Sequence, residues 1–151
     1  MNWLPSASVP KLLYRASRDG WNASDFHRTC DGKGATLTVV KSSDGYIFGW
    51  ETCEASNESF KCHAGLPTVK MNIKNEDLFA ISHFSTEGPI FGSAFGPCCD
   101  LPIPSNANDP VNPSCISDVG DAYELPDETT DRYFLTGSYK FVIGDYEVFE
   151  L

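Results

Sequence analysis

The chain has 151 residues, 41% hydrophobic and 13% aromatic, enough to bury a sizeable core in one domain and too apolar for a disordered chain. Its 11 basic and 21 acidic side chains leave a net charge of -10, which repels phosphate backbones and anionic membrane surfaces and excludes nucleic acid as an expected partner. It contains no run of about 18 apolar residues, so no membrane insertion is expected.

Residues 1–11, with Pro5 and Pro10, read as an arm, and residues 12–151 as one domain. The opening Met-Asn-Trp-Leu-Pro lacks the charged and apolar regions of a secretory leader. That leaves a cytosolic protein, a mature form or unconventional export open. The first clear element is a helix. Asn22 is a good N-cap, Asp25 sits near the positive end of the dipole, Trp21 and Phe26 have staple spacing, and Gly32 and Gly34 stop the helix. Strands follow: Thr36–Lys41, a Ser43-Asp44-Gly45 turn, and the return strand Tyr46–Trp50. Further strands are expected at Thr68–Ile73, Leu78–His83 and Ile90–Phe91, and over Phe141–Leu151 with a bulge at Gly144. The fold class expected is mostly β: an antiparallel β-sandwich of two sheets with one or two short flanking helices.

Residues 97–131 differ from the rest. They hold six of the ten prolines and eight of the 21 acids, with no Lys, Arg or His. Long loops inside a domain are usually functional. Calcium takes six to eight oxygen ligands, and Asp100, Asn106, Asn108, Asp109, Asp118 and Asp121 are the expected donors, assembled from separate loops because no EF-hand spacing exists. The competing reading is a solvated acidic surface whose Asx and Pro residues shape turns. A calcium ion on a sandwich rim suits vicinal sugar hydroxyls, with Trp50, Phe95 and Tyr123 as aromatic platforms and Glu124 beside them; each ring also suits the core.

Six cysteines, Cys30, Cys53, Cys62, Cys98, Cys99 and Cys115, lack the Cys-x-x-Cys knuckles of a zinc site and read as disulfide candidates or as small buried thiols. Cys53 with Cys62 could close a hairpin, and Cys98 or Cys99 could reach Cys115. The adjacent Cys98-Cys99 pair also admits a homodimer. The sequons Asn22-Ala-Ser24 and Asn57-Glu-Ser59 fit an exported protein but arise often by chance. His27, His63 and His83 fall in no His-Glu-x-x-His motif, and no Gly-x-Ser-x-Gly elbow occurs, so no catalytic site is expected.

The run from Leu12 to Gly34, Leu-Leu-Tyr-Arg-Ala-Ser-Arg-Asp-Gly-Trp-Asn-Ala-Ser-Asp-Phe-His-Arg-Thr-Cys-Asp-Gly-Lys-Gly, resembles the opening of TLDc domains, the module of the oxidation-resistance protein family. Thr36–Lys41, Asp44–Gly49, Gly88–Gly92 and Tyr146–Glu150 are similar to later parts of the same pattern. The resemblance implies a two-sheet β-sandwich with short helices and no established catalysis. For intracellular relatives it implies roles in oxidative-stress protection and V-type ATPase regulation. The chain departs from the pattern at Ser59–Cys62 and Ser93–Cys99, and five of its cysteines are additions to it. Those additions lead to the first functional expectation, a secreted, non-catalytic, calcium-dependent module binding glycans or small neutral saccharides. The alternative is an intracellular TLDc interaction domain; a glycan-cleaving enzyme ranks below both.

Overall fold

A computed structural model describes residues 9–52, 60–63, 69–71, 74, 81–82, 84–92, 99–127 and 129–151. Strand β1 (Lys11–Arg15) runs straight into a short helix, α1 (Ala16–Asp19), and Gly20 turns the chain into α2 (Ala23–Cys30). The hairpin β2 (Thr36–Ser42) and β3 (Ile47–Thr52) follows, with Gly45 at φ 91° in the turn, a conformation glycine adopts without strain. Then come β4 (Phe60–His63), β5 (Val69–Met71), β6 (Ile81–Ser82), β7 (Ile90–Phe91), β8 (Leu101–Pro102), β9 (Cys115–Ile116), β10 (Lys140–Phe141) and β11 (Ile143–Glu150).

One six-stranded sheet dominates, in the order β1-β11-β2-β3-β4-β5, with every neighbouring pair antiparallel. The last strand lies between the first and the second, so the two ends of the domain are zipped together. The ladder shifts register between Ile143 and Asp145, the bulge expected at Gly144. Two small sheets, β6-β7-β8 and β9-β10, supply strands opposite the large one. Phe91 of β7 stacks on Trp50 of β3 at 4.2 Å, and Phe141 of β10 meets Phe48 of β3 edge-on at 5.9 Å. The described residues are mostly β and antiparallel with two short helices, as the sequence predicts. The second layer is not one continuous sheet. The prolines of residues 97–131 cannot donate to a ladder, and among the described residues of that stretch pairing is confined to β8 and β9, two residues each, and an isolated bridge at Tyr123.

The inner face of the large sheet carries Tyr14, Tyr146, Val148, Val40, Phe48 and Trp50, all at most 4% exposed. Helix α2 packs over the β1–β11 end of this face. Its staple residues reach down to the core, Phe26 against Tyr14 at 5.9 Å and Trp21 against Tyr146 at 6.1 Å. Asp25 Oδ2 accepts from the Asn22 backbone N–H at 3.3 Å, fastening the N-terminus as the capping pattern predicts. At the other end Gly32 takes φ 69°, the left-handed residue that closes many helices. The sequence reading missed β1, α1, β4, β8 and β9. Parts of the strands expected at Thr68–Ile73 and Leu78–His83 lie outside the described residues, as do Cys53, Phe95, Cys98, His83 and Asn57.

Candidate functional site

A cavity of about 450 Å³ opens between the C-terminal half of α2, the chain leading into β7, and the inner face of the large sheet. Its floor is Thr36 and Thr38 from β2, Thr52 from β3 and Val148 from β11. One wall is Phe26 and Cys30 with the Asp31-Gly32-Lys33-Gly34 turn; the other is Gly88 to Phe91. The sheet register explains the floor. Thr38 lies opposite Val148 on one side and Trp50 on the other, and Thr36 opposite Thr52, so all of these side chains share one face.

The polar groups here differ in what they have left to offer. Thr36 and Thr52 bond to each other, Oγ1 to Oγ1 at 2.6 Å, and Thr52 Oγ1 also accepts from the Thr36 N–H at 3.2 Å. Thr38 is 2% exposed. Cys30 is a buried free thiol, and burial pushes it up to about 11, so at neutral pH it is protonated and a poor nucleophile. Asp31 holds His27 Nδ1 at 2.8 Å, while His27 Nε2 lies 2.9 Å from the Phe84 carbonyl and 2.8 Å from that of Glu87. These three partners all accept, so making all three bonds requires a proton on both ring nitrogens. Partial burial works against the charge, but Asp31 and the two carbonyls outweigh it and raise the His27 pKa. Through these contacts His27 ties α2 to the turn that leads into β7, joining the cavity's two walls, and the tie is complete when the ring is protonated.

The residues expected to hold calcium fall into two separate turns. Asp100 is 1% exposed. Its Oδ1 accepts the N–H groups of Asp121 at 3.1 Å and Ala122 at 3.2 Å, and its Oδ2 those of Gly120 at 3.3 Å and Tyr123 at 3.0 Å. Burial raises its pKa and these four donors oppose the rise. Gly92, at φ 98°, leaves no room for a side chain against it: a Cβ there would stand 2.6 Å from the Asp100 nitrogen. Asp118 and Asp121 both bond to Arg132, through Nε and, at 2.9 Å, through Nη2, and these bonds raise the Arg132 pKa. The counter-charge missing from residues 97–131 sits one residue past their end.

Asn106, Asn108 and Asp109 form a different turn. Asn106 takes φ 58° and donates its backbone N–H to the Trp21 carbonyl at 2.9 Å. Asp109 Oδ1 accepts from Val111 at 2.8 Å and Asn112 at 3.2 Å, and its pKa is lowered by those bonds. Among the described residues no group of three or more His, Cys, Asp or Glu is placed to hold a metal ion.

Two expected sugar platforms are corrected by burial. Trp50 is 2% exposed and backs Phe91, and Tyr123 is 3% exposed in the core, so neither offers a ring face to solvent. Glu124 is exposed. Of the disulfide candidates, Cys30 and Cys115 stand as buried free thiols, Cys115 pushed up to about 12 by burial, and Cys99 is half-buried.

A family model for the TLDc domain matches residues 2–151, and the chain belongs to that family. A search of curated proteins finds no match. Among the described residues no helix is long and apolar enough to cross a membrane.

Proposed function

We propose that this TLDc domain acts by binding rather than by catalysis, and that its ligand site is the cavity beneath α2. The observation that carries this reading is a concave space of about 450 Å³, within the range of small-molecule sites, walled mostly by apolar side chains with a few polar groups at floor and rim. The lining favours binding over chemistry. Its thiol is held protonated, its carboxylate is engaged by His27, and both nitrogens of that histidine are engaged in turn. A fragment library screened by NMR on the isotope-labelled full chain tests the reading. Hits are expected to shift Phe26, Cys30, Phe91 and Val148 together. A screen whose hits all map elsewhere, or that yields none, overturns it.

A second reading keeps carbohydrate binding and moves it. Tyr133 and Tyr139 meet edge-on at 5.7 Å and are 38% and 41% exposed, an aromatic surface of the kind a pyranose covers. This reading places the protein outside the cell; the first holds in either compartment. A glycan array run with calcium and with a chelator tests it. Binding lost in Y139A supports the surface, loss on chelation adds calcium to it, and no binding to any glycan ends it.

A further inference from the structure

Of the three threonines on the cavity floor, one has nothing to bond. Thr36 and Thr52 satisfy each other, but Thr38 Oγ1 has no hydrogen-bond partner among the described residues although the residue is 2% exposed. The hydroxyl is not sealed off: it keeps an open side, and the cavity that Thr38 lines is what it can open to. Its sheet neighbours are Val148 and Trp50, and Phe91 stands over Trp50 from the opposite layer. The hydroxyl therefore ends in an apolar chamber whose open side is the cavity itself.

The cavity's rim has a matching feature. Lys33 lines it, is exposed, and makes no ion pair with a described residue. Several other cations are paired, Lys11 with Glu150, Arg15 with Glu147, Arg18 with Asp19, Arg28 with Asp25 and Arg132 with Asp118 and Asp121, while Lys41 and Lys140, which like Lys33 make no ion pair with a described residue, do not line the cavity. Asp31, the acid nearest Lys33 in sequence, is held by His27. The entrance thus presents one uncommitted ammonium, and the space behind it presents rings, methyls and one uncommitted hydroxyl.

We propose that the cavity binds a small monocarboxylate with an apolar skeleton and one hydroxyl or carbonyl group at its far end. The carboxylate meets Lys33 at the rim, the skeleton lies between Phe26 and Phe91, and the distal oxygen bonds to Thr38 on the floor. This rests on reading the cavity as the ligand site. Saccharides fit it less well, because their many hydroxyls each need a partner inside, and Thr36 and Thr52 are already bonded to each other.

The test uses the full chain and four probes: 10-hydroxydecanoate, decanoate, decane-1,10-diol and glucose, followed by calorimetry and by NMR shifts at Thr38. The hydroxy acid is expected to bind about five- to tenfold more tightly than decanoate, the factor one hydrogen bond supplies. In T38V, which keeps the shape and removes the hydroxyl, that preference disappears while decanoate affinity stays. In K33Q both acids fall to the affinity of the diol. Because Thr38 Oγ1 bonds no described residue, the empty T38V variant is expected to melt near the wild-type temperature, and a clearly lower melting temperature would show that the hydroxyl is already bonded. Equal affinity for decanoate and its hydroxy form, or no binding of either acid, overturns the proposal. If glucose alone shifts the cavity residues, the ligand class fails and the cavity reading stands. If every probe that binds shifts residues elsewhere, both fail.

Discussion

Asp100 looks in sequence like a metal ligand and in structure like a clamp. Its two oxygens each take two N–H groups from residues 120–123, and its own carbonyl accepts from the Asp118 N–H at 2.9 Å, so one side chain shapes the turn that carries Asp118, Asp121 and Tyr123. Asn cannot replace it. An amide would turn an NH₂ group toward two of the four donors, leaving them buried and unpaired. D100N is expected to lose about 2–4 kcal/mol in denaturant unfolding, and a loss near zero would show that the clamp is dispensable. The thiols give a second check at this scale. Cys30, pushed up to about 11, and Cys115, at about 12, are both buried, so alkylation should modify neither in the native protein and both after unfolding. Finding them joined in a disulfide would contradict the structure.

Elements were legible where the signal was local. The α2 cap, the β2–β3 turn and the Gly144 bulge each rest on a few adjacent residues, and all three appear where the residues place them. Strand β2 shows the limit. Its inward face is Thr36, Thr38, Val40 and Ser42, with Leu37 and Val39 on the other. Alternation alone would have turned the leucine inward. The threonines face in because the register to β3 and β11 sets them opposite Thr52, Trp50 and Val148, and register is a long-range property. The cavity floor was therefore hidden, although polar residues at every inward position but one were its trace.

The contact of α2 with the 84–87 turn was hidden in the same way, because the carbonyls that hold His27 lie 57 and 60 residues away in sequence. That contact predicts a pH dependence. The folded pKa of His27 is raised above 6.5, so its stabilisation is fully present below pH 6.5 and is lost as pH rises through the folded value. The melting-temperature gap between wild type and H27Q is expected to be widest below pH 6.5 and to narrow steadily above it. A gap that widens with pH would mean that the neutral ring makes the tie.

At the scale of the whole molecule the controlling fact is the place of β11. It pairs with β1 from Lys11↔Glu150 to Arg15↔Glu147 and with β2 from Ile143↔Ser42 to Glu150↔Thr36, so the sheet has no continuous core until the chain's end docks. No window of sequence shows this, since the Tyr14–Tyr146 hydroxyl contact spans 132 residues. Such pairing must close a long loop before its contacts form, which makes folding slow and late. The same strand supplies Tyr146 to the aromatic group under α2 and Val148 to the cavity floor, both at most 4% exposed. Removing residues 146–151 therefore strips the middle of the sheet, parts β1 from β2 and opens the cavity at once. A chain ending at Asp145 is expected to lose cooperative melting and the dispersion of its amide NMR spectrum. The milder E147A, which loses only a partly exposed pair with Arg15, should stay within about 1 kcal/mol of wild type. A truncated chain that still melts cooperatively would show that β1 and β2 hold together without the strand between them.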